Sequence, residues 1–247
     1  MKRAAVFALS LTLSGFVSFA QLSEGTKVGV ATGKGLNVPS SGVFWSSPTD
    51  ASNVVGKFYA DSLWHEGTVE VKKEIPQFVG WESNQLASMM IRYNVLNDEL
   101  EVLANRAKND IRVIRGNYLV GFAIKESEND SVKFVRAGNF ESENVLKGFF
   151  EILSSGKLTL AKHDRAKIIK PNYNPGFGVG EKNTVVNIAS DYYVLSGEKA
   201  EKINPGKKAL LTLMKDREKD IEAFIKSEKT DFKDEESLAA LFKYYNK

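Results

Sequence analysis

The sequence predicts a mainly β protein of the α+β class: a curved antiparallel sheet or partly closed barrel, covered on one face by C-terminal helices. Three observations carry this expectation. Residues 89–124 hold three runs of alternating apolar and polar side chains joined by two polar turns, the pattern of an antiparallel meander. Residues 131–195 add short runs rich in β-branched and aromatic residues, divided by Ser, Gly, Pro and Asn. From Asn204 the apolar residues recur at helical spacing instead.

At the start of the chain, Lys2 and Arg3 precede an apolar run from Ala4 to Phe19, and Ser18-Phe19-Ala20 stands before Gln21. This is the layout of a secretory signal peptide over residues 1–20, cleaved near Ala20. An uncleaved membrane anchor is the rival reading, against which Ser10, Thr12, Ser14 and Gly15 interrupt the run. No later segment is apolar enough to span a bilayer as a helix. The expected location is therefore outside the cytoplasm, periplasmic or associated with the outer membrane. Loss of Lys2 and Arg3 leaves 32 basic against 31 acidic residues, so bulk attraction to nucleic acid has no support. The chain has no cysteine, which excludes disulfides, a thiolate nucleophile and cysteine metal sites.

Half of the residues between Ser23 and Gly56 are Gly, Ser, Thr or Pro, which predicts an irregular arm over residues 21–56 with one apolar cluster, Val43-Phe44-Trp45. The antiparallel β domain spans residues 57–203 and opens with a strand at 67–72. Residues 77–88 show no clear period, and Trp81 reads as a core or rim residue. In the meander, Ile91, Tyr93 and Val95 alternate with Arg92 and Asn94, Asn97-Asp98 supplies a turn, and Leu100, Val102 and Ala104 follow. Ile111 and Val113 flank Arg112, and an Arg112–Glu101 cross-strand pair worth about 0.2–1 kcal/mol is expected. Residues 118–124 are apolar on both faces, Val120, Phe122 and Ile124 on one and Leu119, Gly121 and Ala123 on the other, which predicts a strand covered on both sides. The small Gly121 and Ala123 admit a close neighbour, most naturally a helix, and are the candidate contacts for an apolar ligand.

Further strands are expected at 131–136, 149–153, 158–162, 184–188 and 192–195, with a loop at 171–180. In the tail, residues 204–247, Asn204-Pro205 predicts a cap and a first helical residue. Leu210, Leu213, Met214, Ile221, Phe224 and Ile225 then give one amphipathic helix, and Leu238, Leu241, Phe242 and Tyr245 a second over 234–245, both packed on the β domain.

Chemistry-bearing patterns are weak. His65-Glu66 and His163-Asp164 are adjacent pairs, and adjacent strand residues point to opposite faces. No serine lies in a Gly-x-Ser-x-Gly elbow, and no spaced His set suits zinc. Gly176-x-Gly178-x-Gly180 lacks the Gly-Lys-Ser/Thr ending of a phosphate loop and reads as a mobile surface loop. Glu99 and Glu101 share a strand face, where solvation explains them. No catalytic, cofactor-binding or metal-ligating residue is assigned, and no cofactor is expected. Lys157, Lys162, Arg165, Lys167 and Lys170 form a basic run that suits an anionic surface, with lysines guarding an edge strand as the plainer reading.

The order of a His-Glu-Gly-Thr-Val strand, an Ile-Arg-Tyr-Asn-Val-Leu-Asn-Asp-Glu-Leu-Glu hairpin, a Phe-Phe-Glu-Ile-Leu-Ser-Ser-Gly-Lys hairpin and a final Leu-Phe-Lys-Tyr-Tyr-Asn resembles uncharacterised exported β-rich envelope proteins of the Bacteroidota type. That group has no assigned activity, so the resemblance implies a location and a fold but no site residue. Asp61-Ser62-Leu63 and Asp130-Ser131-Val132 are similar to the short O-glycosylation pattern of such bacteria, which marks Ser62 and Ser131. The expected function is a non-enzymatic envelope protein acting as an interaction or scaffold module with an envelope protein partner. The alternative is a carrier of a lipid or other apolar ligand between sheet and helices. Nucleic acid is not expected as a partner.

Overall fold

Alternation becomes extended backbone in twelve places: β1 (Phe44–Ser46), β2 (Val54–Gly56), β3 (His65–Val71), β4 (Gln85–Asn94), β5 (Glu99–Asn105), β6 (Asp110–Arg115), β7 (Leu119–Lys125), β8 (Ser131–Arg136), β9 (Phe149–Ser154), β10 (Thr159–Ile169), β11 (Thr184–Ser196) and β12 (Lys199–Ile203). The computed structural model describes residues 44–46, 54–72, 85–128 and 130–247. The signal peptide predicted at 1–20, most of the predicted arm and Trp81 lie outside the described residues. The strands form one sheet in the order β1-β6-β5-β4-β3-β7-β8-β9-β10-β11-β12, with β2 joined to β11. The β2–β11 pairing is parallel and the others are antiparallel. The short strands β1 and β2 fall within the segment expected to be irregular.

The meander forms with one change of partner. Ile91 lies opposite Val102 and Tyr93 opposite Leu100, so these apolar residues share a face, and Ile91, Leu100 and Val102 are wholly buried. The expected Glu101–Arg112 pair does not form. Arg112 is level with Val102 and Glu101 with Val113, which puts the two side chains on opposite faces. Arg112 bonds Asp110 at 2.7 Å instead. Glu101 is not solvated either: it is 3% exposed and sits opposite Arg92 of β4.

The sheet is rolled by a strap, residues 54–59, that joins strands six places apart. At one end β2 pairs with β11, and the Lys57 N–H donates to the Val186 carbonyl at 2.8 Å. At the other end Tyr59 bridges Asn94 at the end of β4, and the Val95 N–H donates to the Phe58 carbonyl at 2.8 Å. The core inside the roll contains Val69, Val71, Ile91, Leu119, Phe122 and Phe149, and Ile188 of the distant β11 packs against it. Gly56 has φ +119°, and a Cβ there would strike the Val186 carbonyl oxygen, so the strap's close approach needs glycine.

Three helices close the chain: α1 (Lys207–Leu213), α2 (Glu218–Ser227) and α3 (Glu235–Tyr245). The single helix expected from Asn204 is two. Gly206, without a side-chain cap, precedes α1, and the chain breaks at Met214 (φ −104°, ψ 31°) before a 3-10 turn at Lys215–Arg217. The break has a structural use. Arg217 Nη1 donates to the carbonyls of Tyr244 and Tyr245 at 3.2 and 2.8 Å, and the Tyr245 hydroxyl donates to Asp216 at 2.9 Å. The Arg217 bonds give donors to carbonyl groups of the last turn of α3, where helical N–H partners run out. The start of α3 is as expected, with Asp234 accepting from the Ser237 N–H at 2.8 Å.

The helices pack over β9 and β10, where Leu160 of β10 and Val194 of the neighbouring β11 join Leu210, Met214, Ile221, Leu238, Leu241 and Phe242 in one buried cluster. They do not supply the close neighbour of Gly121. A Cβ on Gly121 would meet the Phe134 backbone oxygen, so the near approach comes from β8 within the sheet. The other face of β9–β11 carries a third cluster, Phe150, Ala161, Tyr193 and Leu195, against which Phe140 and Leu146 pack.

β10 and β11 are longer than expected. The two segments predicted at 184–188 and 192–195 are one strand of 13 residues, and β10 continues to Ile169. Extended backbone persists through the polar middle because cross-strand partners hold it. Arg165 pairs with Asp191 at 2.8 Å, and the Ser190 hydroxyl donates to Asp164. β9 accompanies β10 only from Leu160 to His163, so residues 164–169 of β10 bond β11 alone, while β2 flanks the other side of β11 at Thr184–Val186.

Candidate functional site

Two features of the rolled sheet present chemistry: a cleft on its concave side and the loop that ends the β10–β11 hairpin. The cleft holds about 450 Å³, and both Tyr93 of β4 and Lys162 of β10 line it. Those strands are five places apart, about 24 Å in a flat sheet, so the roll brings them together. Ile124, Val132 and Phe134 form an apolar wall, and Phe134 stacks on the core residue Phe122 at 4.4 Å between ring centres.

The polar lining is largely self-paired. Lys162 Nζ lies 2.8 Å from Glu151 and 3.0 Å from Glu235 of α3. Burial works against the Lys162 charge, but the two carboxylates outweigh it and hold the ammonium well above its usual pKa. Burial pushes the Glu151 carboxyl up in spite of Lys162. His65 Nε2 lies 2.9 Å from Asp61, not from its sequence neighbour Glu66, and the Leu63 N–H with His65 holds Asp61 below the usual carboxylate range. The residues lining the cleft include no serine, threonine or cysteine, so the Asp61–His65 pair has no hydroxymethyl or thiol group there to activate.

Beside the cleft, Arg92 fastens the strap. Its Nε donates to Glu101 at 2.7 Å, its Nη2 donates to the Tyr59 hydroxyl at 3.1 Å, and the guanidinium lies 4.3 and 4.4 Å from the ring centres of Tyr59 and Trp64. Tyr59 in turn donates to Glu101 at 2.8 Å. Burial and that carboxylate push the Tyr59 phenol up to about 12.

The hairpin ends in an ordered loop. The N–H of Asn174 donates to the Val179 carbonyl at 2.8 Å, that of Gly178 to the Asn174 carbonyl at 2.9 Å, and that of Asn172 to the Glu181 carbonyl at 2.9 Å. The amide oxygens of Asn174 and Asn172 accept from Gly176 at 3.0 Å and Glu181 at 2.7 Å. Gly178 and Gly180 take the left-handed φ values, +67° and +100°, that the turn requires. The result is a built turn with Phe177 at its tip, 81% exposed, and Val179, Ile168 and Ile169 exposed at 61%, 56% and 41%.

The predicted basic run divides. Lys157 bonds Asp216 at 2.6 Å, Lys162 is taken up by two glutamates and Arg165 by Asp191. Lys167 and Lys170 are exposed on the hairpin and form no ion pair among the described residues. Lysines on an edge strand describe residues 164–169 but not 159–163, where β10 is flanked on both sides. Gly121 and Ala123 alternate with Phe122 and Ile124 and so lie on the face turned from the cleft's apolar wall. Ser62 and Ser131 are exposed. His163 is 5% exposed, with Nε2 2.6 Å from the Lys147 carbonyl, and packs against Phe150 and Tyr193. It sits in the core, outside the cleft. Among the described residues no group of three His, Asp or Glu is placed to hold a metal, and no helix is long and apolar enough to cross a membrane.

The hairpin tip is the feature that composition concealed: Gly, Pro and Asn mark a loop, and the signal within it is Phe177 and Val179 standing where polar residues are usual. No family model, curated protein or solved structure matches the chain.

Proposed function

We propose that this chain is a non-enzymatic, exported interaction module of the cell envelope, which docks through the β10–β11 hairpin. One observation carries this reading: a loop fixed by its own hydrogen bonds holds Phe177 outward at 81% exposure. An exposed apolar residue on an already ordered turn lowers the entropy lost on binding, and apolar patches of this kind mark contact sites. The β10 edge from Asp164 to Ile169 adds backbone groups open to strand addition. Photo-crosslinking in cells tests the reading. A photoreactive side chain at position 177 is expected to give discrete adducts, and one at exposed Lys243 on α3 is not. Equal yields at the two positions, or none at 177, would count against docking by the hairpin.

The cleft favours a second reading, capture of a small apolar ligand. The observation is the wall of Ile124, Val132 and Phe134 facing a space of about 450 Å³, within the range of small-molecule sites. The site lies on the concave sheet face, not between sheet and helices, where the apolar side chains already fill the interface. This reading requires a bound small molecule that is lost when Phe134 is replaced by Asp.

A further inference from the structure

We infer that the surface engaged by the hairpin is an anionic phospholipid bilayer, with the tip inserted at the level of the headgroups. The inference rests on docking by the hairpin and names what it docks on. Four observations favour a bilayer over a protein groove. First, the apolar residues occupy both faces of the hairpin. Ile168 is level with Val186 and Ile169 with Val185, so their side chains point to opposite sides, and exposed Val55 of β2 also lies level with Val185. A groove reads one face, whereas an apolar medium surrounds both.

Second, the tip's backbone is largely satisfied from within through the bonds of Asn172, Asn174 and Gly178 described above. Irregular backbone entering a membrane needs its polar groups paired internally. Third, the charges suit anionic headgroups. Residues 167–182 carry Lys167, Lys170 and Lys182 against Glu181 alone, in a chain whose two signs otherwise nearly balance. Fourth, Tyr173 lies at the base of the tip with Lys182 Nζ 4.4 Å from its ring centre. An aromatic ring with a polar end beside a lysine is the combination favoured at membrane–water interfaces.

Flotation of the full chain with vesicles tests the inference. The protein is expected to float with vesicles of phosphatidylglycerol in phosphatidylcholine and only weakly with phosphatidylcholine alone. Phe177→Asp, and separately Lys167→Glu with Lys170→Glu, should each cut anionic-vesicle binding by at least about tenfold. A Phe177→Trp variant should shift its emission to the blue on adding anionic vesicles. All these positions are exposed, so unchanged thermal melting confirms that the variants fold. Failure of the native chain to float, or equal flotation by the Asp and Glu variants, overturns the inference. If flotation fails while position 177 still crosslinks to a protein in cells, the hairpin docks on a protein and the bilayer assignment alone falls. If both fail, docking through the hairpin falls with it.

Discussion

Replacing Arg92 by Ala is expected to lower the unfolding free energy by about 3–5 kcal/mol, the usual cost of stranding a buried charge. Glu101 is 3% exposed, and Arg92 is its ion-pair partner across the β4–β5 ladder. Without the guanidinium the carboxylate keeps, among the described residues, the Tyr59 hydroxyl alone, and Tyr59 and Trp64 lose the cation packed between strap and sheet. Urea unfolding gives the stability change. The control is Arg92→Met with Glu101→Leu, which removes both charges and should cost markedly less than Arg92→Ala alone. If the double variant is as damaged as the single one, the pair contributes through shape and not through charge. The effect should also be directional: the amides that fasten the strap, Lys57 on the Val186 carbonyl and Val95 on the Phe58 carbonyl, should lose hydrogen-exchange protection before the β7–β8 ladder does.

Phe242→Ala should be comparably costly, about 3–5 kcal/mol for a fully buried aromatic. Phe242 lies in α3 within the cluster that joins all three helices to Leu160 and Val194. Its loss leaves a void at the only described apolar junction between tail and sheet, so α1, α2 and α3 should loosen together. Two polar clasps beside it, Asn246 on the Leu158 N–H and carbonyl and Lys162 on Glu235, cannot compensate, because each is partly open to water. Circular dichroism at helical wavelengths during urea unfolding checks this. An early helical transition preceding loss of the sheet supports a separable tail, and a single transition at native midpoint would show that Phe242 is not the keystone of that interface.

How far the sequence reveals this structure differs by element. The meander was legible because period two and short polar turns are local signals, as Ile91, Tyr93, Leu100 and Val102 show. So was α3, whose Asp234 cap and apolar stripe fall where the spacing puts them. The division of α1 from α2 was not, because Leu210, Met214, Ile221 and Ile225 keep helical spacing across the break at Met214. Cross-strand partners were beyond reach for a related reason. A shift of one residue in pairing exchanges faces, and it sends Glu101 to Arg92 instead of Arg112. His65 met Asp61, four residues back, because the chain turns just before β3, and no strand rule describes that turn. The cleft needs the roll, and the roll depends on a strap of six residues inside a segment whose composition reads as irregular. The hairpin tip was hidden by the same logic, since its order comes from Asn172 and Asn174 bonding across the loop.

The most direct measurement of docking by the hairpin is native mass spectrometry of the chain released gently from its own cells, alongside the Phe177→Asp variant. The account predicts an added mass on the native chain, phospholipid in composition, that the variant lacks while keeping its fold. A small-molecule mass kept by Phe177→Asp and lost by Phe134→Asp would instead assign binding to the cleft. The same adduct on native and Phe177→Asp chains, or the bare chain in both, would contradict the hairpin as the docking element.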